Sequence, residues 1–253
     1  MKNIRLIARL DVKGEYLVKG IQLEGLRKLG NPNDFSKKYY EQGIDEIIYM
    51  DIVASLYERN SLLDIIKNAT KDIFIPLTVG GGIRSTDNVR DALQAGADKV
   101  AINTACIKEP DLISDVANYF GSQCMVLSIE AKKTSHNRWE AYIDNGREKT
   151  GKDVLEWAKK GEDLGAGEIL LTSVDNEGRQ EGMDLDLIKA VSNSVSIPVI
   201  ASGGVGSIEH ISEVVNHTNI DAIAMAHVLH YNTCSLTQIH DWAKKQDKFE
   251  IRK

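Results

Sequence analysis

The feature that most constrains this chain is an internal repeat. The stretch Ile75-Pro-Leu-Thr-Val-Gly-Gly-Gly-Ile83 recurs, about half a chain length later, as Ile197-Pro-Val-Ile-Ala-Ser-Gly-Gly-Val205. Each copy reads as an apolar strand that ends in glycines and runs into a helix. Glycine lets the backbone approach a ligand closely and leaves amide N–H groups pointing outward, while a following helix N-terminus favours an anion. Two such cradles, one per half-chain, predict a substrate with a phosphate at each end.

The repeat extends beyond the glycines. Asp45-Glu-Ile-Ile aligns with Gly167-Glu-Ile-Leu, Asp98-Lys-Val-Ala with Asp221-Ala-Ile-Ala, and Leu10-Asp11-Val-Lys13 with Ile129-Glu130-Ala-Lys132. Short β-branched runs alternate with amphipathic stretches from end to end. Strands are expected over 4–12, 46–52, 75–79, 99–103, 125–131, 168–174, 198–201 and 222–226. Helices are expected over 34–42, 62–69, 86–95, 110–119, 152–164, 184–194, 208–216 and 236–246. Eight βα units with internal symmetry predict one α/β domain, a (β/α)8 TIM barrel of two duplicated half-barrels, 1–121 and 122–253. A doubly wound open sheet is the alternative, and it would require neither eight units nor the symmetry.

Composition narrows the partners. A net charge of −6 argues against broad attraction to nucleic acid or an anionic membrane, so any phosphate must be held locally. The first residues carry no apolar run that reads as a signal peptide, and no 18-residue apolar span occurs elsewhere. Cys106, Cys124 and Cys234 are far apart and read as reduced, packed thiols, so a cytoplasmic location is expected.

Barrel enzymes act at the C-terminal ends of their strands. The polar residues there are Asp11, Asp51, Asn103, Glu130, Thr172, Ser173, Glu177 and Ser202. Asp11 and Glu130 are related by the repeat and face each other across the expected mouth, which suits a general acid and a general base. Taken singly, each also reads as a helix cap or a solvated loop acid. At the opposite end, Arg5, Glu46, Lys99 and Glu168 stand at strand starts. Strand alternation puts Arg5 on the face of Asp11, Lys99 with Asn103 and Glu168 with Thr172. If that face is the interior, two cations and two anions form a ring at the barrel floor, where a structural plug is the plain alternative.

The chain resembles the cyclase subunit of imidazole glycerol phosphate synthase over nearly its whole length. The resemblance rests on Asp11-Val-Lys13, Val18-Lys-Gly20, Asp51-Ile-Val-Ala-Ser55, Thr78-Val-Gly-Gly-Gly-Ile-Arg84, Ala95-Gly-Ala-Asp-Lys-Val100, Gly121-Ser-Gln-Cys124, Gly165-Ala-Gly-Glu-Ile-Leu-Leu-Thr-Ser173 and Ser196-Ile-Pro-Val-Ile-Ala-Ser-Gly-Gly204. The sister isomerase shares the duplicated barrel, but the Ser-Gln-Cys and Glu-Ile-Leu-Leu-Thr-Ser blocks point to the cyclase. The resemblance implies a heterodimer with a glutaminase whose ammonia crosses the barrel to a bis-phosphorylated ribulosyl aminoimidazole carboxamide nucleotide. Ammonia would form an imine, and proton transfers through Asp11 and Glu130 would drive carbon–nitrogen cleavage and ring closure. It implies substrate contacts at Lys19, Asp51, Thr172, Glu177 and Gly178. One phosphate would lie at Gly82, Asn103 and Thr104, the other at Ser202, Gly203, Gly204, Ala226 and His227. Arg5, Glu46, Lys99 and Glu168 would be an ammonia gate, and Asp98 would touch the glutaminase. No cofactor is implied. His227 and His230 have metal-like spacing without an acidic or cysteine co-ligand, so no metal is expected.

The chain departs from the family where chemistry is expected. The family has aspartate at the positions of Glu130 and Glu177, Pro-Cys where this chain has Ala8-Arg9, and usually serine at His227. Arg9 shares the parity of Asp11, lies within reach of Glu130 across the lumen, and would lower the pKa of a carboxylate it paired with; the alternative has it turned aside into a loop or helix. The 132–145 segment is expected to form a loop over the site. Three functions therefore stay open: a histidine-pathway cyclase, a cyclase-like paralogue delivering ammonia to another acceptor, such as an amidination in surface-sugar synthesis, and a non-catalytic scaffold that activates a glutaminase.

Overall fold

The structure, a computed structural model, describes residues 2–53, 62–246 and 249–251. The Asp51–Ser55 block thus lies partly outside the described residues, since nothing is described from 54 to 61. The strands are β1 (Lys2–Lys13), β2 (Tyr16–Ile21), β3 (Glu24–Gly30), β4 (Glu46–Asp51), β5 (Leu77–Gly80), β6 (Lys99–Ile102), β7 (Met125–Ser135), β8 (Arg138–Ile143), β9 (Glu148–Asp153), β10 (Glu168–Ser173), β11 (Val199–Ser202), β12 (Ala222–Met225) and β13 (Phe249–Ile251). Eight of them pair in parallel in the order β10-β11-β12-β1-β4-β5-β6-β7, and β7 pairs with β10 to close the ring. That last pairing makes the fold a (β/α)8 barrel and excludes the open sheet.

Side-chain alternation separates two apolar layers. Residues of one parity, such as Leu6, Leu10, Ile47, Val79 and Leu127, pack outward against helices including Thr86–Gln94, Asp111–Phe120 and Val154–Asp163. The other parity fills the lumen with Ile7, Ile48, Ala101, Val126, Leu170, Ile200, Ala222 and Ala224. Arg5, Arg9 and Asp11 share the parity of Ile7, so the inner row of β1 is charged at both ends and apolar between them. Strand starts are tied by a recurrent contact: Asp45 accepts from Leu6 N (2.7 Å), Asp98 from Leu77 N (2.8 Å) and Asp221 from Val199 N (3.0 Å).

Two antiparallel excursions rise from the mouth. β1 continues into the β2–β3 hairpin, and β7 into β8 and β9. The expected 132–145 loop is therefore mostly strand, and so is 148–153, so the helix expected over 152–164 begins only at Val154. Asp144 and Asn145 (φ 51 and 61) and Gly146 (φ 73) make the turn between β8 and β9 in the left-handed region. An Asp-Asn-Gly run is a hairpin signal legible in the sequence.

Candidate active site

A cavity of about 380 Å³ opens at the C-terminal ends of β4 to β7. Asp51, Gly81, Gly82, Arg84, Asn103, Thr104, Lys108, Ser128, Glu130 and Asn145 are among its lining residues. The first glycine cradle forms one wall. Gly81 (φ 93) and Gly82 (φ 73) need the left-handed region, and a Cβ on Gly81 would lie 2.1 Å from Asp51 O. Arg84 and Lys108 bring positive charge to that wall and were not singled out from the sequence. Asn103 donates through Nδ2 to Tyr142 O (3.0 Å), and its Oδ1 is buried without a partner among the described residues. Thr104 Oγ1 accepts from Asp144 N (3.1 Å), and Asp51 Oδ1 accepts from Val53 N (3.0 Å).

Glu130 reaches this cavity from the point where β7 ends its parallel pairing with β10, and its Oε2 accepts from Gly146 N (2.7 Å) in the β8–β9 turn. Burial pushes its carboxyl from 4.5 up to about 7; the Gly146 N–H and the Arg9 charge oppose that rise, while Asp11 and Asp144 add to it. A carboxyl poised near neutrality gives and takes a proton at working pH.

Asp11 lies in a different environment. Arg9 Nε donates to its Oδ1 (2.9 Å) and Lys19 Nζ to its Oδ2 (3.4 Å), with all three residues buried. Burial by itself would raise the Asp11 carboxyl, but the Arg9 and Lys19 cations outweigh it and hold the group below the ordinary carboxylate value. The two repeat-related carboxyls are thus driven in opposite directions, Glu130 toward proton exchange and Asp11 toward permanent charge.

The expected reach of Arg9 to Glu130 is corrected by its contacts. Its Nη1 donates instead to Thr172 Oγ1 (2.9 Å) and Ser202 Oγ (3.4 Å), so the guanidinium lies over the β10–β12 side of the lumen. Ala222 and Ala224, the inward residues of the intervening β12, are small enough to leave that path open. Lys19 pairs with Glu177 as well as Asp11. Arg9, Asp11, Lys19 and Glu177 form one buried, formally neutral cluster, as two cations and two anions must when desolvated.

The second cradle lies behind this cluster. Ser202, Gly203 and Gly204 are buried, and Gly203 (φ 98) and Gly204 (φ 103) repeat the left-handed turn of the first cradle. Gly182 N donates to Gly204 O (3.0 Å), and Gly178 packs against Gly20. Ala226 precedes the short helix His227–His230. His227 stacks on Tyr231 at 4.4 Å between ring centroids, and its Nδ1 is buried without a partner among the described residues. Burial and the Lys19 charge push His230 down to about 3, so it stays neutral. No group of three or more His, Cys, Asp or Glu with metal-holding geometry occurs among the described residues.

The structure brings the four floor charges into one ring. Arg5 bonds Glu46 (2.7 Å) and Glu168 (2.5 Å), and Lys99 bonds Glu46 (3.2 Å) and Glu168 (2.9 Å). The ring crosses the barrel floor in line with the small apolar lumen. Asp98 is exposed beside it. Phe74 and Tyr119, 77% and 74% exposed, stand in the segments preceding β5 and β7, on the same N-terminal side of the barrel.

Comparison with known proteins matches the family described as "Histidine biosynthesis protein" to residues 5–235. A Legionella pneumophila protein named "Imidazole glycerol phosphate synthase subunit HisF" is 64% identical over 209 residues, covering 83% of this chain and 99% of that protein. A protein of the same name from Prochlorococcus marinus subsp. pastoris is 47% identical over 241 residues, covering 94% of each.

Proposed function

We infer that this chain, which belongs to the histidine biosynthesis protein family, is the HisF-type cyclase subunit of imidazole glycerol phosphate synthase. Its substrate is a bis-phosphorylated ribulosyl aminoimidazole carboxamide nucleotide, and its co-substrate is ammonia released by a glutaminase docked on the barrel floor. The exposed Phe74 and Tyr119, with Asp98, give that partner an apolar and acidic surface next to the ring. No helix among the described residues is long and apolar enough to cross a membrane.

Ammonia passes the Arg5–Glu46–Lys99–Glu168 ring and enters a lumen lined by Ile48, Ala101 and Val126. An apolar route keeps it neutral and therefore nucleophilic. It emerges at Ser128 and Glu130, in the cavity where the first cradle holds one phosphate. Attack on the substrate ketone expels water and forms an imine. Proton transfers through Glu130 then drive carbon–nitrogen cleavage and ring closure, giving imidazole glycerol phosphate and aminoimidazole carboxamide ribotide. Asp11, held ionised, stabilises positive charge on nitrogen during those steps.

The observation that carries this reading is the placement of a near-neutral carboxyl at the exit of a gated apolar lumen, beside an anion cradle. It is tested by supplying the purified chain with the bis-phosphate and an ammonium salt at alkaline pH. Formation of imidazole glycerol phosphate is the expected result; binding without turnover would refute it. A second reading, ammonia delivery to an acceptor such as a surface-sugar intermediate, draws on the burial of Ser202, Gly203 and Gly204 behind Arg9 and Glu177. The same assay separates the two.

A further inference from the structure

The two cradles share a backbone turn but not a state. The first faces an open cavity, whereas a carboxylate of the chain itself lies against the second. Glu177 Oε1 accepts a hydrogen bond from Lys19 Nζ, and its Oε2 stands 3.3 Å from where a Cβ on Gly203 would sit. The Glu177 carboxylate therefore lies between a buried ammonium and the glycine turn, the place an anion bound by both would take.

Glu177 is also tied to the β2–β3 hairpin that carries Lys19. Gln22 N donates to Glu177 O (2.7 Å), Gln22 Nε2 to Asp175 O (3.1 Å), and Asn145 Nδ2 to Leu23 O (3.3 Å). A Cβ on Gly178 would fall 2.5 Å from Gly20 O, so the two segments meet backbone to backbone. Leu23 is buried under this closure. Lys19 and Ser202, each 2% exposed, are out of reach of any ligand until the hairpin and the 174–182 segment separate.

We propose that Glu177 is an internal stand-in for the substrate's second phosphate, and that the phosphate enters by displacing this carboxylate from Lys19 and Gly203, releasing the hairpin as it does so. The proposal rests on the reading that this site takes a bis-phosphate. The exchange is chemically balanced: one anion leaves Lys19 as another arrives, and Arg9 stays anchored on Asp11, Thr172 and Ser202 to receive it. It also makes the second end of the substrate the one that opens the site. A ligand with a single phosphate fills the first cradle at concentrations that still leave the hairpin shut, and reaches the second only at higher ones.

The test is a titration of the full chain with inorganic phosphate, followed at backbone amides by nitrogen-15 NMR. Gly82 reports the first cradle, Gly203 and Gly204 the second, and hydrogen exchange at Gln22 N reports the hairpin. In the unmodified chain the second cradle fills well after the first, and Gln22 exchange accelerates as it fills. Glu177→Gln removes the competing charge at nearly constant volume. It tightens phosphate at Gly203 and Gly204 by roughly tenfold or more, because the competent state no longer has to be drawn from a minor population. Unchanged or weaker phosphate affinity in Glu177→Gln overturns the proposal. So does a second cradle that fills in the unmodified chain without changing Gln22 exchange, or one that never fills. If the variant does not fold, the exchange measurement on the unmodified chain decides alone. Turnover is assayed separately: anion exchange without imidazole glycerol phosphate formation refutes the cyclase reading and leaves the stand-in intact, and the reverse result refutes only the stand-in.

Discussion

Replacing Glu130 with glutamine isolates proton transfer from everything else the site does. The substitution keeps the volume of the side chain and an oxygen able to accept from Gly146 N, now 2.7 Å from Oε2. It removes only the proton that titrates at about 7. General acid–base catalysis by a positioned group contributes about 10² to 10⁴-fold, so ammonium-dependent turnover should fall by that factor with little change in KM. The rate of the unmodified chain, compared at constant free ammonia, should show an inflection near 7 that Glu130→Gln lacks. Stability provides a second readout of the same proton. The native carboxyl keeps its proton up to about 7 while an ordinary carboxyl releases it near 4.5, so this contribution is complete below the lower value and lost as pH rises through the upper one. It amounts to at most about 3 kcal/mol, and Glu130→Gln should flatten that part of the stability profile in urea unfolding. Turnover within a factor of about three of the unmodified chain, against the general-acid–base range, would refute the assignment. A surviving inflection near 7 would refute it equally.

Four further expectations follow from the geometry. Lys99→Met leaves Glu46 and Glu168 with Arg5 as their ring cation; it should destabilise the fold by on the order of 3 kcal/mol in urea unfolding and depress glutamine-dependent more than ammonium-dependent turnover, and unchanged stability would show the ring to be energetically idle. Arg9→Met removes the strongest attraction on Asp11, so the Asp11 carboxyl should titrate higher by carbon-13 NMR; since a depressed carboxyl stabilises above its ordinary value and loses that contribution as pH falls, the stability gap to the unmodified chain should close in acid. Gly81→Ala puts a Cβ 2.1 Å from Asp51 O at φ 93 and should cost about 2 kcal/mol or more together with first-cradle phosphate binding; retained stability and binding would mean that turn does not need glycine. Phe74→Ser should weaken glutaminase binding about tenfold or more, as loss of an exposed aromatic anchor does, without lowering the melting temperature, and unchanged affinity would move the partner off that face.

Much of this molecule was legible in one dimension. The paired Gly-Gly turns, the strand ends at Asp11 and Glu130, and the parity that puts Arg5, Lys99 and Glu168 inward all follow from local rules, because a strand alternates sides and a βα unit repeats. The Asp-Asn-Gly turn is legible too, as is the alternation of Trp139, Ala141 and Ile143, all buried in β8; the loop expected over 132–145 rests on the family resemblance and passes over both. Arg84 and Lys108 went unnoticed because their role depends on which loops converge on one cavity.

The sequence by itself determined the barrel, its eight strands, the floor ring's membership and the two glycine turns, since each is set by residues within one or two elements. The tertiary structure decided which charge meets which. Arg9 turns to Asp11, Thr172 and Ser202 rather than to Glu130 because Ala222 and Ala224 leave room on that side of the lumen. Glu130 is raised because its burial outweighs the Gly146 N–H and the Arg9 charge, and Asp11 is lowered because two cations outweigh its burial. Electrostatic roles of that kind depend on distances between residues far apart in the chain and on the solvent excluded around them, and no local pattern encodes either.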